Sequence, residues 1–208
     1  MTPSPRALPP KGTLILLALT AALLLFRLGS LPLLGPDEPR YARVAVEMAR
    51  SGDFVTPTLR GQPWLEKPVL YYWLAAGAFR SLGESETAAR LPSLVAMLLL
   101  VGVTALVGAR LYSGRAGLHA GFVLATSLLA FAYGHAASMD MLLAATVTAG
   151  VGLIALRVLG IAGRLAVPVA CVFLGLATLA KGPLGFLLPG LVVVGFLLET
   201  RDWPLLRP

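Results

Sequence analysis

Apolar runs broken by short charged punctuation set the pattern of this chain. The runs cover residues 13–34, 91–109, 116–137, 141–156, 165–180 and 182–198. They predict six helices that cross a hydrocarbon core of roughly 30 Å. Arg27 interrupts the first run near its far end, where a long side chain reaches the interface. Arg90 and Arg110 bound the second run, and Asp140 and Arg157 the fourth. Arg164 and Lys181 bound the fifth, and Glu199 ends the sixth. The links LYSGRAG, RVLGIAGR and AKGP are short and carry glycine, as tight helical connections do.

The polar stretch between the first two runs is patterned differently. Tyr41, Val44, Ala45 and Met48 recur at i, i+3, i+4 and i+7, while Arg40, Arg43, Glu47 and Arg50 take the other face. That pattern predicts an amphipathic helix of the kind that lies in a membrane interface. Pro39 suits its first turn, Asp37 or Glu38 its N-cap, and Gly52 its stop. A loop over 53–66 follows, broken by Pro57, Gly61 and Pro63. Pro68 then opens VLYYWLAAGAF, which ends at Arg80 and is too short to cross. It reads as a second interfacial or re-entrant helix anchored by Tyr71, Tyr72 and Trp73. The fold class is therefore an all-α membrane protein, with about six transmembrane helices plus two interfacial helices in the first extramembrane loop. Residues 1–208 form one transmembrane domain, and 35–90 are its loop.

Composition supports this. The chain is 57% hydrophobic and 13% charged, with a mean hydropathy of +0.82, which excludes an ordinary soluble domain. The net charge of +7 fits the positive-inside bias of membrane loops. No basic run of the kind a nucleic acid would need is present. Cys171 is the one cysteine and lies in an apolar run, so neither a disulfide framework nor a cysteine metal site is expected. The segment before the first run resembles a signal n-region, but the run lacks a small-residue cleavage motif and reads as an uncleaved span.

Orientation comes from the short loops. With the N-terminus cytoplasmic, Arg6, Lys11, Arg110, Arg115, Arg157, Arg164, Arg201 and Arg207 share the cytoplasmic side with only Glu199 and Asp202 as acids. The remaining basic residues stand opposite, mixed with most of the acids, so raw counts nearly balance. The short links decide, because each cytoplasmic one is basic. Four separated features then reach the non-cytoplasmic surface: Asp37–Glu38, Glu66–Lys67, Asp140 and Lys181. Charges at a membrane boundary are costly, so their agreement marks a candidate site. Carboxylates there can deprotonate or orient an acceptor, lysines can hold a phosphate, and carboxylate with phosphate can hold a divalent cation. Each residue also has an ordinary role available. Asp37 and Asp140 suit helix caps, Lys181 an interfacial anchor, and Glu66–Lys67 a solvated pair. His135 reads as an interfacial histidine, and His119 lies on the cytoplasmic side.

Asp37-Glu38-x-Arg40-Tyr41-Ala42, Glu47-Met48, Gly52-Asp53, Pro57, Gly61 and Lys67-Pro68 before Tyr72-Trp73 resemble the first periplasmic loop of bacterial C-type glycosyltransferases. These are the aminoarabinose transferases and the wider protein O-mannosyltransferase-like superfamily. Ser138-Met139-Asp140 and Ala180-Lys181-Gly182-Pro183 match the same pattern in order. The resemblance implies a multi-pass enzyme of the bacterial inner membrane. It would move a sugar from a polyprenyl-phosphate donor to a lipid A-like or protein acceptor at the periplasmic face. It implies Asp37 and Asp140 as catalytic carboxylates. Glu38 and Arg40 join Lys67 and Lys181 in the substrate-binding set, with the lysines near the donor phosphate. It further implies Glu66 in a divalent-metal site completed by a histidine beyond Pro208. The chain looks like the N-terminal half of such an enzyme. Two rival classes are a transporter or flippase for a lipid-linked solute, and a non-catalytic half-enzyme. Transporters place charge at mid-bilayer in repeated halves, whereas these charges lie at the surface and no repeat is visible.

Overall fold

A computed structural model describes residues 7–200. Of the charges used for orientation, Arg6, Arg201, Asp202 and Arg207 lie outside the described residues. The chain folds into nine helices among the described residues: α1 (Pro10–Leu25), α2 (Asp37–Ser51), α3 (Leu70–Leu82), α4 (Glu86–Leu111), α5 (Gly114–Thr126), α6 (Leu128–Gly134), α7 (Asp140–Val158), α8 (Ala166–Lys181) and α9 (Leu184–Thr200). A two-stranded antiparallel hairpin, β1 (Thr58–Leu59) with β2 (Gln62–Pro63), adds a small exception to the all-helical rule.

Two helices, α4 and α7, are long and apolar enough by themselves to cross a membrane. The predicted third span is instead a bent pair, α5 and α6, meeting at 66°. The cause is local. The Thr126 hydroxyl donates back to the Phe122 carbonyl at 2.9 Å and the Ser127 hydroxyl to that of Leu124 at 3.0 Å. These bonds compete with the helix ladder, and Ser127 turns extended. Helices α1, α8 and α9 are apolar but shorter. At 16 residues, α1 and α8 rise only about 24 Å. The first run also ends early, since the helix stops at Leu25 and Arg27 adopts a positive φ of 57°. Arg27 therefore lies in the turn beyond α1.

Packing centres on α4, which touches α1, α3, α5, α6 and α7. Its contact with α5 is close because neither side carries bulk. A Cβ on Gly117 would sit 2.2 Å from the Ala105 carbonyl oxygen. The loop elements form a second layer on the same end as the starts of α4 and α7. The predicted face of α2 is buried, with Val44, Ala45 and Met48 at most 1% exposed. It packs on α3, so this face is consumed by protein contacts. Tyr71 and Tyr72 do not act as interface anchors. Both are fully buried, and the Tyr71 hydroxyl donates to the Ala89 carbonyl at 2.8 Å. Trp73 alone of the three is exposed, and its indole N–H donates to the Phe54 carbonyl at 2.7 Å. Tyr41, Tyr71 and Tyr72 meet edge to face, with centroids 6.0–6.4 Å apart.

Candidate active site

Helix α2 starts at Asp37, with Pro36 in the cap position and no side-chain cap bond, so neither Asp37 nor Glu38 is the N-cap. Gly52 does end the helix, at a φ of 74° that suits glycine. The start at Asp37 turns Glu38 inward and leaves Asp37 exposed. Among the described residues, Asp37 Oδ1 receives a long contact from Arg40, at 3.4 Å.

Glu38 and Arg90 form a buried hub. Glu38 Oε2 accepts from the Leu34 amide at 2.6 Å and from Arg90 at 3.0 Å. Its Oε1 accepts from the Ala137 amide at 2.5 Å and from Arg90 Nε at 3.4 Å. Arg90 also donates to the carbonyls of Leu28, Leu31 and Pro32 at 2.8–2.9 Å. All five guanidinium donors are thereby used. Burial pushes the Glu38 carboxyl up, but these hydrogen bonds and the Arg90 charge outweigh it and hold it below the usual range. Glu38 was expected to bind substrate. Its two oxygens are occupied by protein donors, so it braces the site from below. Arg90, which the sequence pattern placed at a membrane boundary, lies inside α4 and is 4% exposed.

The hub sets the position of Asp140, because Ala137 leads directly into Ser138-Met139-Asp140. Ser93 pins this segment from α4, donating to the Ser138 carbonyl at 2.9 Å. The Ser138 hydroxyl donates to Asp140 Oδ2 at 2.6 Å and accepts from the Asp140 amide at 3.1 Å. Asp140 is the first residue of α7 and its N-cap is Met139, so Asp140 is free of capping duty. Its other oxygen pairs with Lys181 Nζ, the last residue of α8. Two residues read as partners only by sharing a side are in direct contact.

The loop residues join them. Lys67 pairs with Glu66 at 3.4 Å, with both side chains partly exposed. A Cβ on Gly182 would lie 3.7 Å from Pro68 Cγ, so the Lys181–Gly182 turn rests against the Lys67–Pro68 turn. Tyr41 reports on the cluster. Burial pushes its phenol up, and Asp37, Glu66 and Asp140 push it further, while Arg40 opposes them. Three carboxylates from three segments thus act on one phenol. Arg40 stands over the Trp64 ring at 5.5 Å.

Glu47 holds the loop in shape. It accepts from Arg43 at 2.8 Å, from the Thr58 hydroxyl at 2.9 Å, and from the Arg60 and Gly61 amides at 2.9 and 3.1 Å. Arg60 and Gly61 both have positive φ, the mark of a two-residue hairpin turn. Burial pushes the Glu47 carboxyl up, and these four donors overcome that and lower it to about 2. The helix face formed by Arg43, Glu47 and Arg50 is thus more than a wetted surface. Sequence reasoning missed the hairpin, the Glu47 clamp and the Arg90 hub.

The metal expectation names Glu66 alone among these residues. Among the described residues, no group of three or more His, Cys, Asp or Glu side chains converges. Glu66 is drawn to Lys67 instead.

The family described as dolichyl-phosphate-mannose-protein mannosyltransferase matches residues 66–207. The undecaprenyl phosphate-alpha-4-amino-4-deoxy-L-arabinose arabinosyl transferase of Pseudomonas aeruginosa (strain UCBPP-PA14) is 34% identical over 174 residues, covering 81% of this chain and 31% of that protein. The enzyme of the same description from Aeromonas salmonicida (strain A449) is 30% identical over 180 residues, covering 83% and 32%. The chain thus spans about a third of the length of these relatives. Among solved structures, ArnT from Cupriavidus metallidurans in the apo state superposes with a TM-score of 0.87 at 31% identity, covering 93% of this chain and 37% of that one. The same protein bound to undecaprenyl phosphate gives 0.88 with the same identity and coverage. With a family match over most of its length and this agreement in structure, the chain belongs to the dolichyl-phosphate-mannose-protein mannosyltransferase family.

Proposed function

We propose that this chain carries the membrane catalytic unit of a glycosyltransferase that uses a polyprenyl-phosphate-linked sugar. Residues 35–90 are its catalytic loop. The acceptor is a lipid of the lipid A type or a protein. The relatives' descriptions name an undecaprenyl-phosphate donor and an aminoarabinose sugar, and the family's names a dolichyl-phosphate donor and mannose. The shared chemistry is a prenyl chain in the membrane, a phosphate at its surface and a sugar beyond it. In this reading α1, α4, the α5–α6 pair, α7, α8 and α9 are six spans. The two loop helices cover the outer ends of these spans. The N-terminus faces the cytoplasm and the site faces the periplasm of a bacterial inner membrane.

The observation that carries the proposal is the Asp140–Lys181 pair seated against the Lys67–Pro68 turn, with Asp37, Glu66 and Asp140 all pushing up the Tyr41 phenol. Lys67 and Lys181 supply charge for the phosphate, which becomes the leaving group. Lys181 can serve both Asp140 and a phosphate oxygen, because an ammonium has three donors. Asp37 is exposed and weakly tied, so it can meet an acceptor nucleophile and take its proton. Asp140 orients Lys181 or the acceptor. The charges lie at the helix ends, which favours surface transfer over passage through the bilayer.

The test is transfer of labelled sugar from an undecaprenyl-phosphate donor to a lipid acceptor by the full-length membrane protein. Asp37→Asn should reduce turnover by a factor on the order of 100 or more, with membrane insertion unchanged. Wild-type-like turnover in that variant would remove Asp37 from the chemistry. Absence of transfer by the wild type with every polyprenyl-phosphate sugar offered would refute the reading.

A further inference from the structure

Three tyrosine hydroxyls beside the candidate site have different surroundings. That of Tyr71 donates to the Ala89 carbonyl inside the core. That of Tyr72 is buried and faces the Trp64 indole N–H. Tyr41 differs from both. It is only 8% exposed, yet its hydroxyl is not sealed from solvent and makes no hydrogen bond among the described residues. The ring is held edge-on to those of Tyr71 and Tyr72, at 6.1 and 6.4 Å. A packed aromatic body thus carries one free polar atom to the surface of the site.

Its place in the fold ties this atom to the candidate catalytic carboxylate. Tyr41 follows Asp37 by one turn of α2, at i+4, so the two side chains are neighbours on the helix surface. Of the charges that act on the phenol, Asp37 acts most strongly, then Glu66, with Asp140 contributing as well. Glu66 and Asp140 belong to the ion pairs that hold Lys67 and Lys181. Asp37 has only its long contact with Arg40. Burial and these three carboxylates keep the phenol protonated, with Arg40 opposing them. Tyr41 is therefore a neutral donor at the side of a loosely held carboxylate.

We infer that Tyr41 positions the acceptor, its hydroxyl donating a hydrogen bond to the nucleophilic oxygen that Asp37 meets. The inference rests on the reading of the site as a glycosyltransferase centre. The chemistry of the two residues is complementary. An ionised carboxylate only accepts, and a phenol kept protonated can donate. An acceptor hydroxyl gives its hydrogen to Asp37 and takes the phenol hydrogen on one lone pair, which leaves its second lone pair for attack on the sugar. An acceptor oxygen that is already anionic takes the same hydrogen bond from the phenol. Two contacts fix an oxygen where one would let it swing, and such alignment supplies a large part of the lowering of a transfer barrier. The donor phosphate already has Lys67 and Lys181 for its charge. The uncharged phenol, one turn from Asp37, suits the oxygen at the other end of the reaction.

The test measures transfer of 4-amino-4-deoxy-L-arabinose from undecaprenyl phosphate to lipid A in mixed micelles, with full-length wild-type protein, Tyr41→Phe and Tyr71→Phe. Tyr41→Phe keeps the ring and its packing. It should lower kcat/KM for lipid A by about five- to tenfold, with a raised KM for lipid A. Binding of undecaprenyl phosphate should be unchanged. The melting temperature should also hold, because no hydrogen bond to the described residues is lost. Tyr71→Phe should do the reverse, lowering the melting temperature and leaving the KM for lipid A alone, because its hydroxyl is paired in the core. Unchanged kinetics towards lipid A in Tyr41→Phe would overturn the inference. So would weakened binding of undecaprenyl phosphate, since the phenol would then serve the phosphate. A lowered melting temperature with both substrates affected would overturn it too, as the mark of a structural hydroxyl. If the wild type transfers no sugar to lipid A, the glycosyltransferase reading fails first and the inference falls with it.

Discussion

Glu38→Gln is the most incisive perturbation of this fold. The change is nearly isosteric, so it alters charge and hydrogen-bond polarity without making a cavity. In one amide orientation the NH2 group faces the Ala137 amide and Arg90 Nε; in the other it faces the Leu34 amide and Arg90 Nη2. Either way donor meets donor. One orphaned buried donor costs about 1–3 kcal/mol. A buried arginine stripped of its counter-charge costs about 3–5 kcal/mol. These costs describe overlapping losses and do not add, so the expected destabilisation is about 3–5 kcal/mol. The assay is equilibrium or thermal unfolding in detergent, with Glu38→Gln, Glu38→Leu, Arg90→Met and the double variant Glu38→Leu/Arg90→Met. The double variant leaves no buried charge and should be less destabilised than the two single changes summed.

The same pair fixes a pH dependence. The Glu38 carboxyl is held below its usual range, so its contribution to stability is complete above the unfolded value of about 4.3. It is lost as pH falls through the lower, folded value. Wild-type stability should therefore be flat from neutral pH down to about 5 and then decline, while Glu38→Gln lacks that part of the decline. Glu38→Gln within about 0.5 kcal/mol of wild type, against the 3–5 expected, would refute the reasoning. Strict additivity in the double variant would do so as well.

Further outcomes follow from other contacts. Glu47→Gln should loosen the hairpin turn, seen as faster proteolysis between Thr58 and Trp64, while α2 keeps its helicity. Because Glu47 titrates near 2, the wild-type loop should stay closed at pH 4, and opening there would contradict the clamp. Lys181→Met should weaken binding of undecaprenyl phosphate by about tenfold with little change in melting temperature, since its partner Asp140 keeps the Ser138 bond and reaches solvent. Gly117→Ala should destabilise by about 1–3 kcal/mol, because its Cβ would meet the Ala105 carbonyl oxygen; a neutral melting temperature would show that α5 shifts freely.

Much of the fold was legible because hydrophobic periodicity is a strong signal. The buried stripe of α2 and the glycine stop at Gly52 lie where the pattern puts them. Of the site residues on four segments, Asp140 and Lys181 are in direct contact. The misplacements share a cause, namely competition that only tertiary structure resolves. The run over 116–137 carries no Asp, Glu, Lys or Arg, yet two hydroxyls at Thr126 and Ser127 break it. Tyr71 and Tyr72 look like interfacial aromatics by composition. They are core residues because α2 covers them. The hairpin was hidden because Arg60 gives no turn signal as strong as asparagine or aspartate would. Its turn is held from outside by Glu47, thirteen residues upstream of Arg60.

The hub itself was readable from stripes, although charge hid it. Ser85 caps α4 by accepting from the Ala88 amide at 3.2 Å, with Glu86 in the first turn. Starting the helix there places Arg90, Ser93, Leu94 and Met97 at i, i+3, i+4 and i+7, and all four are buried. In α2, Glu38, Tyr41, Ala42 and Ala45 have the same spacing and the same burial. A charge at the head of an apolar stripe must be buried with the stripe, and burial without a partner is prohibitive. Two opposite charges so placed, one on each of two helices, therefore have to find each other. Periodicity that counts only apolar residues stops one position short of Arg90 and Glu38. It reads Arg90 as a boundary and Glu38 as an N-cap candidate. Counting the charge as part of the stripe assigns both to the interior, and leaves Asp37, one residue away, rotated outward and exposed.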